Sequence, residues 1–234
     1  MKSAESKTAA CAELPAPEAV HACVEELRRA CRDAWQEGLL SGCNGNASVL
    51  LPETSSGGAS RILCMTRTGA AKGRLTAADI CLMDAATGRC LANGPASSEA
   101  AMHLALYASL PGCRAVLHTH PRRLLALSLV LRARGKAREM LEIPLYEAGV
   151  WRARLALAPA IAPGSGELAA AVAAAAATLP AQATDGTGGA VWMEDHGLCC
   201  FAPSLAQALT MSEELEHLAA VQLLALGAAD NSGA

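Results

Sequence analysis

A chain of 234 residues that is 52% hydrophobic is long enough to bury an independent core and too apolar to be intrinsically disordered. Its formal net charge of −3 argues against nucleic acid as a main partner. The one basic stretch (Arg132, Arg134, Lys136 and Arg138, after Arg122 and Arg123) reads as a solvated helix end and loop. Ten cysteines with no C-x-x-C pair follow an N-terminus without the apolar core of a signal peptide. That combination points to a cytoplasmic protein with reduced thiols, and away from a disulfide scaffold or a zinc ribbon.

In chain order, residues 1–16 read as a polar, disordered lead-in and 17–234 as one domain. Apolar residues at helical spacing (Val20, Cys23, Val24, Leu27, Cys31, Ala34, Trp35) predict a helix that ends near Gly38 and Gly42. Ala47–Leu51 and Arg61–Thr66 read as strands joined by a Gly/Ser-rich turn at 53–58. Thr76-Ala77-Ala78-Asp79 has the form of a capping box, and Ile80–Asp84 is a third strand turning at Thr87-Gly88. A helix opens at Ser97-Ser98-Glu99 and runs to about Leu110; the run Arg114–His118 is a strand stopped by Pro121. Further on come a helix over Arg123–Leu131, a strand over Ala156–Ala160 and a helix over Gly166–Leu179, whose apolar run is too short to span a bilayer. Ser204-Leu205-Ala206-Gln207 starts a last helix that runs to about Leu226. Interleaved strands and helices with several tight turns predict an α/β protein with a mixed or largely antiparallel central sheet.

His118 and His120 close an apolar strand, and residues two apart on a strand share a face. His196, in Asp195-His196-Gly197, follows a second apolar run, Ala190–Met193, and the glycine behind it permits a sharp turn. Three imidazoles from two strand ends form an open site of the catalytic type, with a coordination position left for water or substrate. Ser41–Ser48 is a Gly/Asn-rich turn whose backbone N–H groups suit an anion, and Thr66-Arg67-Thr68-Gly69 is a second turn of this kind. Ser97-Ser98 at a helix start is a third place where phosphate is favoured.

These segments recur together in a known order. Gly38–Ser48, Thr66–Gly69 with Lys72-Gly73 and Leu75-Thr76, Ser97-Ser98-Glu99 with His103 and Tyr107, Ala115–Pro121, Asp195–Leu198, and Glu213, Leu215 and Glu216 span nearly the whole chain. In this the chain resembles the class II aldolase/adducin family, the group that contains fuculose-phosphate aldolase and ribulose-phosphate epimerase. The resemblance implies a three-layer α/β/α sandwich, commonly a homotetramer with sites near the subunit interfaces. It implies a divalent metal, usually Zn2+, on His118, His120 and His196, with Glu99 as the acid/base residue. Asn46, Thr68, Gly69, Ser97 and Ser98 would hold a substrate phosphate.

The implied reaction is retro-aldol cleavage of a small, phosphorylated ketose through an enediolate, with the metal as Lewis acid and a carboxylate to move a proton. A ketose-phosphate dehydratase of the methylthioribulose-phosphate type, or an epimerase, is the alternative on the same site. An interaction module like the adducin head is the non-enzyme alternative. Epimerase-type members carry Asp at the position of Glu99, so Glu99 favours the aldolase or dehydratase branch. Family aldolases take a proton-donating tyrosine from a neighbouring subunit, and Tyr146 is the candidate here because Tyr107 lies on an internal helix. Cys43 stands where the family has Ser or Thr, and Arg67 where it has proline.

Overall fold

A computed structural model of the chain describes residues 16–52, 61–180 and 188–232. The turn at 53–58 and most of the lead-in lie outside the described residues. Eight strands form one sheet: β1 (Asn46–Leu50), β2 (Ile62–Thr66), β3 (Ile80–Asp84), β4 (Cys90–Ala92), β5 (Ala115–Thr119), β6 (Leu155–Ala158), β7 (Gly189–Met193) and β8 (Gly197–Ala202). Their spatial order is β4-β3-β2-β1-β5-β8-β7-β6. Every pairing is antiparallel except that of β6 with β7.

The strands read as continuous apolar runs because both faces of the sheet are covered. Along β5, Ala115 and Leu117 face one core while Val116 faces the other, and β7 and β8 alternate in the same way. On the first face lie α1 (Pro17–Gln36), α3 (Arg122–Ala133) and α6 (Leu205–Ser232). On the second lie α2 (Ala100–Ser109) and α5 (Gly166–Ala177). This is the expected three-layer α/β/α arrangement around a mixed, largely antiparallel sheet. The predicted stripe of α1 is buried at Cys23, Val24, Leu27, Cys31 and Ala34. Each large apolar side chain buried in this way contributes about 1.5–3 kcal/mol. Among the described residues no helix is long and apolar enough to cross a membrane.

Several elements depart from the sequence reading, among them the central strand β8, which lies over a stretch assigned to no element. Helix α2 begins at Ala100 with Glu99 as its N-cap residue, so Ser97 and Ser98 precede the helix instead of opening it. A seven-residue helix, α4 (Tyr146–Arg152), fills a stretch that carries no readable periodicity. Helix α6 runs to Ser232, six residues past the expected end at Leu226. The predicted caps do form: Thr76 and Asp79 make a reciprocal box, and the Ser204 hydroxyl accepts from the backbone N–H of Gln207.

Cysteines 23, 31, 64, 81 and 199 are buried, as small apolar residues would be. The basic stretch is not purely solvated, because Arg132 pairs with Asp195 beside His196.

Candidate active site and metal centre

Antiparallel pairing brings the chemistry to one edge of the sheet. Asn46 at the start of β1 lies opposite His118 near the end of β5, and His118 lies opposite Cys199 on β8. The β7–β8 hairpin delivers His196 to the same point. Its turn is made by Asp195, which adopts φ +59°, and not by Gly197 as the sequence suggested. Gly197 serves a different end. A Cβ there would stand 2.5 Å from the carbonyl oxygen of Thr119 and 3.2 Å from the His118 ring, so only glycine lets the hairpin close over the other two histidines.

The ligand atoms of His118, His120 and His196 all lie within 4.8 Å of one another. The His118 Nδ1–H donates to the carbonyl of Leu198 at 3.0 Å, which fixes the tautomer and leaves Nε2 with a bare lone pair. That Nε2 faces the Nε2 of His120 at 3.0 Å and Glu99 Oε2 at 3.2 Å. Glu99 Oε1 is 3.1 Å from the His196 Nε2. Lone pairs converging this closely need a proton or a cation between them. In addition, Glu99 Oε1 is buried with no hydrogen-bond partner among the described residues. The donor set therefore fits a divalent ion held by three imidazoles.

Glu99 sits at the N-terminus of α2, where the helix dipole favours its negative charge. Burial alone would raise its carboxyl pKa, but His118 and His196 beside it, when protonated in the metal-free site, overcome this and hold it well below the usual range. Its side chain turns to the histidines and caps no helical N–H.

Behind Glu99 runs a buried polar chain that motif spacing did not reveal. The Asn46 Nδ2 donates to Glu99 Oε2 at 2.8 Å, so its Oδ1 is turned the other way and accepts from His103 Nε2 at 2.5 Å. The Ser48 hydroxyl donates to His103 Nδ1 at 2.7 Å, and the Tyr107 hydroxyl donates to the Ser48 carbonyl at 3.0 Å. Each partner fixes the next, so the orientation of Glu99 is set from the sheet interior. His103 thus reaches Glu99 only through Asn46, whose side chain is committed to this chain of contacts.

Burial, together with the charge of His118, pushes the His103 pKa down from 6.5 to about 3. An unfolded histidine takes up a proton near 6.5 that the native His103 refuses, so stability falls as the pH drops below 6.5. The expected slope is about 1.4 kcal/mol per pH unit for this group. His103→Gln should remove that share of the slope between about pH 6 and about pH 5, above the range of most carboxylates. Urea unfolding of the metal-free protein at a series of pH values reads it, and an unchanged slope would contradict a neutral buried His103.

A cleft of about 270 Å³ opens beside the histidines, at the small end of ligand sites. Asn44, Asn46, Thr68, Gly69, Ser97, Ser98, Glu99, His120 and His196 line it, together with Cys43, Arg67 and Lys72. His118 is fully buried behind them. The expected phosphate-holding residues therefore share one cavity with the candidate metal ligands. Tyr146 is not among the lining residues; it is fully exposed at the first position of α4. His21 and His217 are exposed and away from the cleft.

The two turns that frame the cleft are laced together. The Cys43 thiol donates to the Gly69 carbonyl, the Lys72 backbone N–H to Gly42, and the Lys72 ammonium to the carbonyls of Cys43 and Ala70. On the opposite side, the buried Glu216 carboxylate accepts from the backbone N–H groups of Arg123 and Leu124. It thereby caps α3 just after His120.

The sequence profile described as the Class II Aldolase and Adducin N-terminal domain matches residues 25–223, most of the chain. The protein belongs to the class II aldolase and adducin family. It is 31% identical over 196 residues to a 3-oxo-tetronate 4-phosphate decarboxylase of Escherichia coli (strain K12), covering 83% of each chain. It is 28% identical over 198 residues to a methylthioribulose-1-phosphate dehydratase of Serratia proteamaculans (strain 568), covering 83% of this chain and 91% of that one. In fold it is similar to a sugar-phosphate aldolase from Thermotoga maritima, with a TM-score of 0.74 at 24% identity over 88% of this chain and 96% of the other.

Proposed function

We propose that this protein is a zinc-dependent lyase that removes CO2 from a small phosphorylated 3-oxo sugar acid. One observation carries the choice within the family: among the described residues lining the cleft, Glu99 is the only carboxylate and there is no tyrosine. Aldol cleavage needs a proton taken from a hydroxyl and another given to carbon. Decarboxylation needs only the second, because the departing carboxylate already carries its charge. The likeness to a 3-oxo-tetronate 4-phosphate decarboxylase supports the same reading.

In this reading the Nε2 atoms of His118, His120 and His196 hold the ion, which supplies Lewis-acid polarisation of the carbonyl beside the breaking bond. Three imidazoles favour zinc over magnesium or calcium. The hydroxyls of Thr68, Ser97 and Ser98 and the backbone N–H groups of Gly45, Thr68 and Gly69 hold the phosphate. Loss of CO2 leaves the electron pair of the broken C–C bond in an enediolate, and the carbon that lost CO2 takes one proton from solvent. Glu99, oriented by Asn46, is the group that passes this proton.

Aldol cleavage is the second reading. The fully exposed Tyr146 favours it, since a homotetramer would allow Tyr146 of one copy to complete the site of another. The presence of all three histidines and Glu99 argues against a purely scaffolding role.

Zinc-loaded protein incubated with 3-oxo-tetronate 4-phosphate, fuculose 1-phosphate and methylthioribulose 1-phosphate separates the readings. Release of CO2 from the first is the expected result. An aldehyde from the second would move the assignment to aldol cleavage. Loss of water with the carbon count unchanged from the third would move it to dehydration. Turnover of none of them would contradict the proposal.

A further inference from the structure

We propose that Lys72 is the specificity-determining charge of this cleft, a buried cation that makes it select substrates carrying a phosphate monoester over their uncharged analogues. This deepens the phosphate part of the function proposed above and rests on it.

The argument begins with an imbalance of charge. Lys72 is 2% exposed, yet among the described residues no carboxylate comes within ion-pair distance of its ammonium. Its two acceptors are carbonyl oxygens, Cys43 at 3.1 Å and Ala70 at 2.7 Å. Carbonyl dipoles satisfy two of its three N–H groups and leave the full positive charge uncancelled. Taking an ammonium out of water without a counter-charge costs several kcal/mol. Lysines are accordingly almost never fully buried unless paired. Asp79 is the nearest acidic influence, but its carboxylate is engaged by the backbone and hydroxyl of Thr76.

The position of the charge gives it a purpose. Lys72 lines the same cleft as Thr68, Gly69, Ser97 and Ser98 and is tied to the back of the 42–43 turn through both its backbone and its side chain. Among the described residues lining the cleft, the one carboxylate, Glu99, is held by His118, His196 and Asn46 and does not neutralise it. The missing counter-charge is therefore one that the ligand brings into the cavity that Lys72 lines together with these hydroxyl-bearing residues. Burial lowers the lysine pKa in the absence of an anion, which is the direction expected of a cation lacking its partner. The thiol of Cys43 offers an anion little, and a full charge from Lys72 compensates for the hydroxyl that the family usually has there.

Inorganic phosphate is the probe, with binding read from the stabilisation it gives to the zinc-loaded protein. Lys72→Gln keeps N–H donors for the two carbonyls and removes the charge, while Lys72→Arg keeps the charge in a different shape. Lys72→Gln is expected to hold zinc as wild type does and to bind phosphate at least about tenfold more weakly, roughly one charge-assisted hydrogen bond. Lys72→Arg is expected to stay within a few-fold of wild type. Glycerol, the uncharged control, should not distinguish the three proteins, whereas glycerol phosphate should rank them as inorganic phosphate does. Equal phosphate binding by wild type and Lys72→Gln would overturn the proposal. So would loss of zinc in both variants, which would make Lys72 a structural tie between the turns. A wild type that binds zinc and releases CO2 but ignores phosphate would overturn this inference while leaving the lyase assignment standing.

Discussion

Replacing His118 by alanine should abolish metal binding and turnover together, with a loss in kcat of at least about a thousandfold. Removing the polarising ion costs several kcal/mol of transition-state stabilisation, and about 4 kcal/mol corresponds to that factor. His118 is the ligand to test because it is completely buried, has its tautomer fixed by the Leu198 carbonyl, and touches both His120 and Glu99. Its loss removes the centre of the cluster, whereas His120 and His196 stand at the open side. Chelator treatment of wild type should produce the same loss, reversed by added zinc; in His118→Ala added zinc should restore nothing. A variant that keeps one zinc per chain and most of its activity would contradict the three-histidine site.

Glu99→Gln should separate binding from proton movement. Glutamine keeps an acceptor for the Asn46 amide and matches the side chain in shape, so the fold and the zinc should survive. Loss of the carboxylate proposed to pass the proton is expected to lower kcat by about 10²–10⁴-fold. Zinc content measured beside kcat decides the role. Zinc retained with kcat lost assigns Glu99 to proton transfer, whereas zinc lost as well would make it a fourth ligand. The contacts of Glu99 with the His118 and His196 Nε2 atoms would compete with an ion held there.

Most of the sheet was legible because its central strands are buried on both faces and appear in sequence as short apolar runs between turns, but the central strand β8 was not read, since it follows the β7 run after only three residues. His118 and His120 could be paired from strand geometry alone, and His196 could be added from its place after a second run. What escaped had physical reasons. Helix α4 is seven residues long with Ala148 as its one buried position, so it carries no readable stripe. The start of α2 was misjudged, and Glu99 at its N-cap position turns its carboxylate to histidines, which no local pattern announces. Asn46 reads as one more polar residue in an anion-binding turn. Its part in orienting Glu99 depends on His103, which is 57 positions away in sequence. Lys72 reads in sequence only as part of a matching family segment, and its burial without a carboxylate partner among the described residues is what sets it apart. Gly197 was rightly singled out, but for turn flexibility, when its actual role is to let two chain segments approach.

The central claim is that the three histidines form one metal site, and metal content alone is a weak test of it in a chain with ten cysteines. Cys81 and Cys90 bring their sulfur atoms within 3.0 Å of each other and offer zinc another place to bind. The direct measurement is anomalous diffraction at the zinc edge from crystals of the zinc-loaded protein. The account predicts a dominant peak about 2.0–2.1 Å from the Nε2 atoms of His118, His120 and His196. A dominant peak at the cysteines, with the histidine cluster empty, would contradict it.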